Sequence, residues 1–170
     1  MTIDELLAKQ EIAELSGTYM RGLDRLQPEL VRSVFHDDAT TDYGFFQGSP
    51  DAFARMAYDA LKDHLANHHM LGQINITLAG DDVAYGEVYF QAFHRLIEDG
   101  GERDLFISGR YVDRYEKRAG VWKIAFRSEI NDWARTMDAA DDFFRAQPAA
   151  LRGARAPDDA SCHPETLGRG

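Results

Sequence analysis

The hydrophobic period of this chain turns from chiefly helical to strand-like near residue 70, and that change limits the possible folds more than any other feature. Up to about Asn67 the apolar residues recur at helical spacing, whereas from Leu71 onward they alternate as in strands. Thr2 and Glu5 stand at capping-box spacing ahead of Ile3, Leu6, Leu7, Ile12, Leu15, Tyr19 and Leu23, which predicts a first helix ending near Leu26-Gln27-Pro28. A short second helix follows, carrying Leu30, Val31, Val34 and Phe35, and the His36-Asp37-Asp38 cluster is expected to stop it. Thr40 to Tyr43 reads as a short strand closed by Gly44 and Gly48. Ser49-Pro50-Asp51 combines a capping residue, a proline at the first helical position and an acid in the first turn. It opens a third helix that carries Phe53, Met56, Ala57, Ala60 and Leu61 and is expected to reach about Asn67. Beyond it Ile74, Ile76 and Leu78 alternate, and turn clusters at Gly80-Asp81-Asp82, Asp99-Gly100-Gly101 and Ala119-Gly120 separate three longer strands into antiparallel hairpins. Helices followed by a long meander give an α+β class, with a curved antiparallel sheet wrapped around the N-terminal helices as a cone that encloses a pocket.

The chain's 170 residues suit one domain. We place it at residues 1–135, with a C-terminal extension over 136–170 made of a short helix within Asp138 to Gln147 and a loose tail from Ala154 on. The formal net charge of −10 repels a phosphate backbone or an anionic membrane surface, so neither nucleic acid nor membrane is expected as a partner. Cys162 is the single cysteine, which leaves no intramolecular disulfide and no thiolate zinc cluster. The acidic N-terminus lacks the pattern of a secretory signal, and no apolar run approaches membrane-spanning length. The expected compartment is the cytoplasm.

Asp24 falls just beyond Met20 at the edge of the apolar arc of the first helix, where a carboxylate is either partly desolvated or paired with a cation. His68 and His69 lie where the third helix is expected to give way to a strand. A histidine entering a cavity there needs a carboxylate to fix its tautomer and leave its other nitrogen as a base. His64 and His68 share a helix face in this reading, but without a glutamate between them they make a poor metal site. Arg127 is opposite in parity to Trp122, Ile124, Phe126 and Ile130, so it faces cavity or solvent unless a bulge shifts the register. Tyr19 and Tyr43 can line a pocket while donating hydrogen bonds, and His94 and Arg110 are polar groups within apolar strands. No glycine-rich phosphate loop and no nucleophile elbow is present.

The stretches Tyr19-Met20-Arg21-Gly22-Leu23-Asp24, FHDDATTDYGFFQG, HHMLGQ and GRYVDRYEKRAGVWKIAFR together resemble the SnoaL-like branch of the nuclear transport factor 2-like superfamily, over roughly residues 3–133. Dehydratases and dehydrochlorinases of that branch carry an Asp-His dyad in a cone-shaped pocket, and the resemblance assigns the dyad to Asp24 and His69. It adds Tyr19 and Arg127 as further catalytic residues and gives Tyr43 and, loosely, His94 a counterpart among substrate contacts, to which we add Arg110, Met20 and Phe46 as expected pocket residues. Dehydrochlorinases of the branch have lysine where this chain has Tyr19, which favours a dehydratase. The resemblance thus implies a cofactor-independent, metal-free lyase that abstracts a carbon-bound proton from a hydroxylated cyclic or aryl small molecule, in a homotrimer or, second, a dimer. It also accommodates an isomerase or polyketide cyclase on the same dyad, a non-catalytic small-molecule binding domain, and the small β-subunit of a dioxygenase.

Overall fold

A computed structural model describes residues 1–166, so the last four residues of the expected tail lie outside the described residues. The elements are α1 (Ile3–Asp24), α2 (Pro28–Ser33), β1 (Phe35–Asp42), β2 (Gln47–Gly48), α3 (Pro50–Leu61), β3 (Ala66–Leu78), β4 (Val83–Glu98), β5 (Gly101–Arg118), β6 (Val121–Asp138) and α4 (Asp142–Ala146). The six strands form one open sheet in the order β2-β1-β6-β5-β4-β3. β3 to β6 are an antiparallel meander, and β1 lies parallel to β6. The sheet curves around α1, α2 and α3, which gives the α+β cone expected from the change of period.

Helix α1 starts as its sequence predicts. The Thr2 amide donates to Glu5 Oε2 (2.6 Å), and Thr2 Oγ1 accepts from the Glu5 amide (3.1 Å). Near its end Gly22 lets α2 approach: a Cβ at that position would lie 2.7 Å from Val31 Cγ2 and 2.8 Å from the Val31 nitrogen. Ile12, Tyr19 and Leu23 of α1 join Val31, Val34, Phe35, Val88, Tyr115, Trp122 and Ile124 in the core.

Four local expectations need correction. The His36-Asp37-Asp38 cluster does not end a helix but lies inside β1, because the backbone from Phe35 pairs with β6 and His36 Nε2 meets the Glu116 carbonyl at 2.9 Å. The exposed Asp37 and Asp38 are held by Arg32 and Arg118, at 2.6 Å each. Helix α3 stops at Leu61, and β3 already begins at Ala66, where pairing with β4 satisfies the backbone. His68 and His69 therefore alternate across a strand, with His68 exposed, and His64 and His68 share no helix face. A bulge at Ala125, between the pairs Tyr115–Ile124 and Arg114–Phe126, shifts the parity of β6, so Arg127 joins Trp122 and Ile124 on the buried face while Phe126 turns outward.

The tail is the fourth correction. β6 runs to Asp138, past the expected boundary at residue 135, and α4 covers only Asp142–Ala146. The segment from Ala154 is docked rather than loose. Arg25 donates to the Ala154 carbonyl (2.6 Å) and Arg155 to the Asp24 carbonyl (2.6 Å), and Asp159 pairs with Arg25 at 3.2 Å. Among the described residues no helix is long and apolar enough to cross a membrane.

Candidate active site

The Asp24 carboxylate lies at the end of α1, is 8% exposed, and reaches across to β3. Its Oδ1 sits 2.7 Å from His69 Nδ1, and both of its oxygens accept from the His69 backbone amide at 3.1 Å. With a carboxylate as partner, Nδ1 carries the proton, and Nε2 keeps its lone pair. Nε2 has no hydrogen-bond partner among the described residues, and the His69 ring lines the interior cavity. Asp24 itself lies outside that lining and borders an outer groove with Met20, Arg21 and Met70.

The cavity measures about 240 Å³, with walls that are chiefly apolar and aromatic, among them Phe53, Phe90, Leu105 and Ile107. Tyr19 and Tyr43 both line it, with their hydroxyls 2.9 Å apart. The Tyr43 ring stacks on Phe53 with centroids 4.1 Å apart, and Tyr19 meets Tyr111 edge-on at 5.6 Å. Burial pushes the Tyr19 phenol well above its usual pKa, although Arg127 pulls the other way. Both phenols are thus proton-bearing hydrogen-bond donors at neutral pH.

His94 also lines the cavity, its ring 5.1 Å from His69 and 5.2 Å from His64. Asn67, on β3 and 5% exposed, ties this cluster to the tail. Its amide nitrogen donates to Nδ1 of His94 and of His64 (2.9 Å each), and its oxygen accepts from Arg155 Nη2 (2.9 Å). Both imidazoles then accept at Nδ1, which requires that nitrogen to be unprotonated. Burial, then the neighbouring His69, His64 and Arg155, lower the His94 pKa to about 3, so it stays neutral. Among the described residues no group of three or more His, Cys, Asp or Glu side chains is placed to hold a metal ion.

Arg127 does not reach the cavity. Its side chain and that of Asp113 are fully buried, joined by Nε to Oδ1 at 2.8 Å and Nη2 to Oδ2 at 2.7 Å. Its guanidinium lies 4.4 Å from the Tyr19 ring centre and 4.1 Å from that of Tyr111, so it underlies the two rings rather than facing a ligand. Burial disfavours its charge, but Asp113 outweighs that effect and holds its pKa well above the usual value. Three expected substrate contacts also lie elsewhere. Arg110 alternates with the cavity-lining Tyr111 and pairs on the outer face with Asp132 (2.8 Å) and Glu87 (3.1 Å). Met20 packs in the core beside the outer groove, and Phe46 packs edge-on against Phe53 at 5.8 Å, leaving the cavity edge to Phe45.

Sequence reasoning missed Asp113, Asn67 and Glu129. Asp113 was detectable, since Tyr111, Asp113 and Tyr115 alternate on β5 and an acid in that inward series needs a cation. Glu129 lines the cavity two residues beyond Arg127 and faces it only because of the bulge at Ala125. Asn67 was assigned to a helix end, where no inward parity could be read.

The fold agrees with comparisons to known proteins. The sequence model of the family described as SnoaL-like domain matches residues 4–128. Hexachlorocyclohexane dehydrochlorinase 1 of Sphingobium indicum is 24% identical over 153 residues, covering 88% of this chain and 96% of that one. The crystal structure of a type 2 hexachlorocyclohexane dehydrochlorinase superposes with a TM-score of 0.73 at 19% identity, over 81% of this chain and 94% of the other. A provisionally named scytalone dehydratase from Novosphingobium aromaticivorans superposes with a TM-score of 0.70 at 22% identity, over 94% and 99% of the two chains. Having the nuclear transport factor 2-like cone and a match over most of its length, the chain belongs to the SnoaL-like domain family.

Proposed function

We propose that this protein is a cofactor-independent lyase acting on a hydroxylated cyclic or aryl small molecule that carries a carbonyl or similar electron-withdrawing group. The observation that carries this reading is the 2.7 Å contact between Asp24 Oδ1 and His69 Nδ1, made by a histidine whose ring borders the cavity while its carboxylate partner stays behind it. Asp24 fixes the tautomer and steadies the imidazolium that forms when Nε2 takes a proton from carbon. The Tyr19–Tyr43 hydroxyl pair donates a hydrogen bond to the oxygen on which the resulting negative charge collects, a role suited to phenols whose burial keeps them protonated. The apolar walls hold the carbon frame and keep water away, which strengthens both interactions. The lyase-type relatives support this class of reaction.

The test is a panel of β-hydroxyketones on cyclic and aryl frames, followed by the ultraviolet absorbance of the conjugated enone. Wild type is expected to turn over at least one of them. Asp24→Asn and His69→Ala, checked for folding by circular dichroism, should lose roughly 10²–10⁴-fold in rate, the usual weight of a positioned general base. Tight binding of a panel compound without turnover, or His69→Ala at the wild-type rate, would show a binding domain or a different base.

A further inference from the structure

The mechanism above leaves unused the one carboxylate that reaches the cavity lining among the described residues. Glu129 sits on β6 opposite Tyr111 of β5, on the same inward face as Arg127. Arg127, the nearest cation on its strand, is bound at two nitrogens to Asp113. Glu129 has no ion-pair partner among the described residues. It accepts a hydrogen bond from Asn131 Nδ2, 3.1 Å from Oε1. Burial in the apolar cavity raises the Glu129 pKa above the usual carboxyl value, opposed by Asn131, Arg127, His69 and Tyr111. The cavity therefore holds two groups with opposite surroundings: an imidazole whose Nδ1 faces the Asp24 carboxylate and whose Nε2 has no partner among the described residues, and a carboxyl group that burial moves toward its protonated form. The first is placed to take a proton and the second to give one.

We propose that Glu129 is the acid of this site, giving its proton to the departing oxygen while His69 removes the proton from carbon, so that the cavity serves substrates that expel hydroxyl rather than halide. This rests on the lyase reading. The C–H bond breaks with its proton going to His69 Nε2, and its electron pair forms the new carbon–carbon double bond. The C–O bond breaks with its pair staying on oxygen, that oxygen takes the Glu129 proton, and water leaves. Imidazolium and carboxylate remain, and a proton returns from one to the other through solvent. Chloride needs no proton to depart, so a dehydrochlorination gains little from Glu129. An alcohol cannot leave readily without one.

The test compares two probes that yield the same enone: the aldol adduct of acetone and benzaldehyde, and its β-chloro analogue. Glu129→Gln keeps the shape and the acceptor for Asn131 but has no proton to give. It is expected to slow water loss by roughly 10²–10⁴-fold and to leave chloride loss within a few-fold of wild type. His69→Ala should slow both. Equal effects of Glu129→Gln on the two probes, or none on either, overturn the role of Glu129 while leaving the lyase reading intact. Neither probe turned over by wild type, or no effect of His69→Ala, overturns the lyase reading and this proposal with it. A measurement without substrate stands beside these: the infrared difference between wild type and Glu129→Gln at neutral pH should contain the carbonyl band of a protonated carboxyl group, and its absence rejects the proposal. The water-loss rate of wild type should also fall as pH rises through the Glu129 titration, and that fall should be missing from chloride loss.

Discussion

Asp113→Asn tests how the floor of the cavity is held. The Asp113 carboxylate accepts three hydrogen bonds, from Arg127 Nε (2.8 Å), Arg127 Nη2 (2.7 Å) and the Tyr115 hydroxyl (2.6 Å), and neither member of the ion pair has any exposed side-chain surface. An asparagine there turns an amide N–H₂ toward groups that all donate, and leaves the Arg127 charge buried without a counter-charge. Removing one partner of a buried pair costs about 3–5 kcal/mol, a large share of the ~5–15 kcal/mol that holds a typical domain together. For a chain of this size that is a fall of about 6–20 °C in Tm, at about 2–4 °C per kcal/mol. Urea unfolding followed by far-ultraviolet circular dichroism measures it, with an unchanged slope showing that the transition remains comparable. A loss below about 1 kcal/mol, the size expected from a solvated pair, would refute the reasoning. The triple change Asp113→Leu, Arg127→Met and Tyr115→Phe removes charge, counter-charge and the leftover hydroxyl together. It should recover most of the loss, because replacing a whole buried ion pair by apolar groups is often neutral or favourable.

Two glycines should respond in opposite directions to alanine in the same unfolding assay. Gly17, within α1 and with nothing within 4 Å of an added Cβ, should gain about 0.5–1 kcal/mol, whereas Gly109, whose Cβ would lie 2.2 Å from the Ile130 carbonyl oxygen, should lose about 1–3 kcal/mol. The His94 pKa is depressed by folding, so its contribution to stability is fully present above the unfolded value of 6.5 and is lost as pH falls toward about 3. His94→Gln should flatten the urea midpoint over that window. Arg155→Ala removes donors to the carbonyls of Asp24 (2.6 Å) and His64 (3.2 Å), and limited proteolysis should then cut the segment around Arg152 to Asp159 faster than in wild type.

How far the sequence could be read depended on whether a feature was set locally or by pairing at a distance. The capping box at Thr2 and Glu5 and the cap and proline at Ser49 and Pro50 act within one turn of chain, and both helices begin where those residues say. The ends of α2 and α3 were misplaced because what competes with the helix there is distant: β6 pairing with Phe35 onward, and β4 pairing with Ala66 onward. Alternation carries information only while the register is unbroken, and the bulge at Ala125 broke it for everything beyond. Arg127 thus moved into the core, and the inward orientation of Glu129 went unseen. Arg110 stands out as a polar group within an apolar strand, but it is one residue from Tyr111 and so on the other face, where its charge is paired outside the cavity. Composition alone marks the tail as loose, but it takes no account of Arg25 on the body of the domain, which holds the Ala154 carbonyl, or of the Asp24 carbonyl that Arg155 of the tail reaches.

The tail also gives the dyad a physical support that its two residues lack. Asp24 is the last residue of α1, where unsatisfied carbonyls accumulate and the helix dipole is negative, an unfavourable place for a carboxylate. Arg155 donates to the Asp24 carbonyl at 2.6 Å, to the His64 carbonyl at 3.2 Å and to the Asn67 oxygen at 2.9 Å, so one guanidinium caps the helix, anchors the turn after α3 and orients the amide that holds His94. Its own partner charge is weak: burial lowers its pKa and Arg25 lowers it further, while Asp24 alone opposes them. The positions of Asp24, His69 and His94 therefore depend on a residue far beyond β3 in the chain, in a segment past the end of the matched family domain. A variant without the tail should keep its sheet and core, whose contacts do not involve it, and lose alignment at His69 first. In kinetic terms the rate constant of the proton-transfer step would fall before stability does.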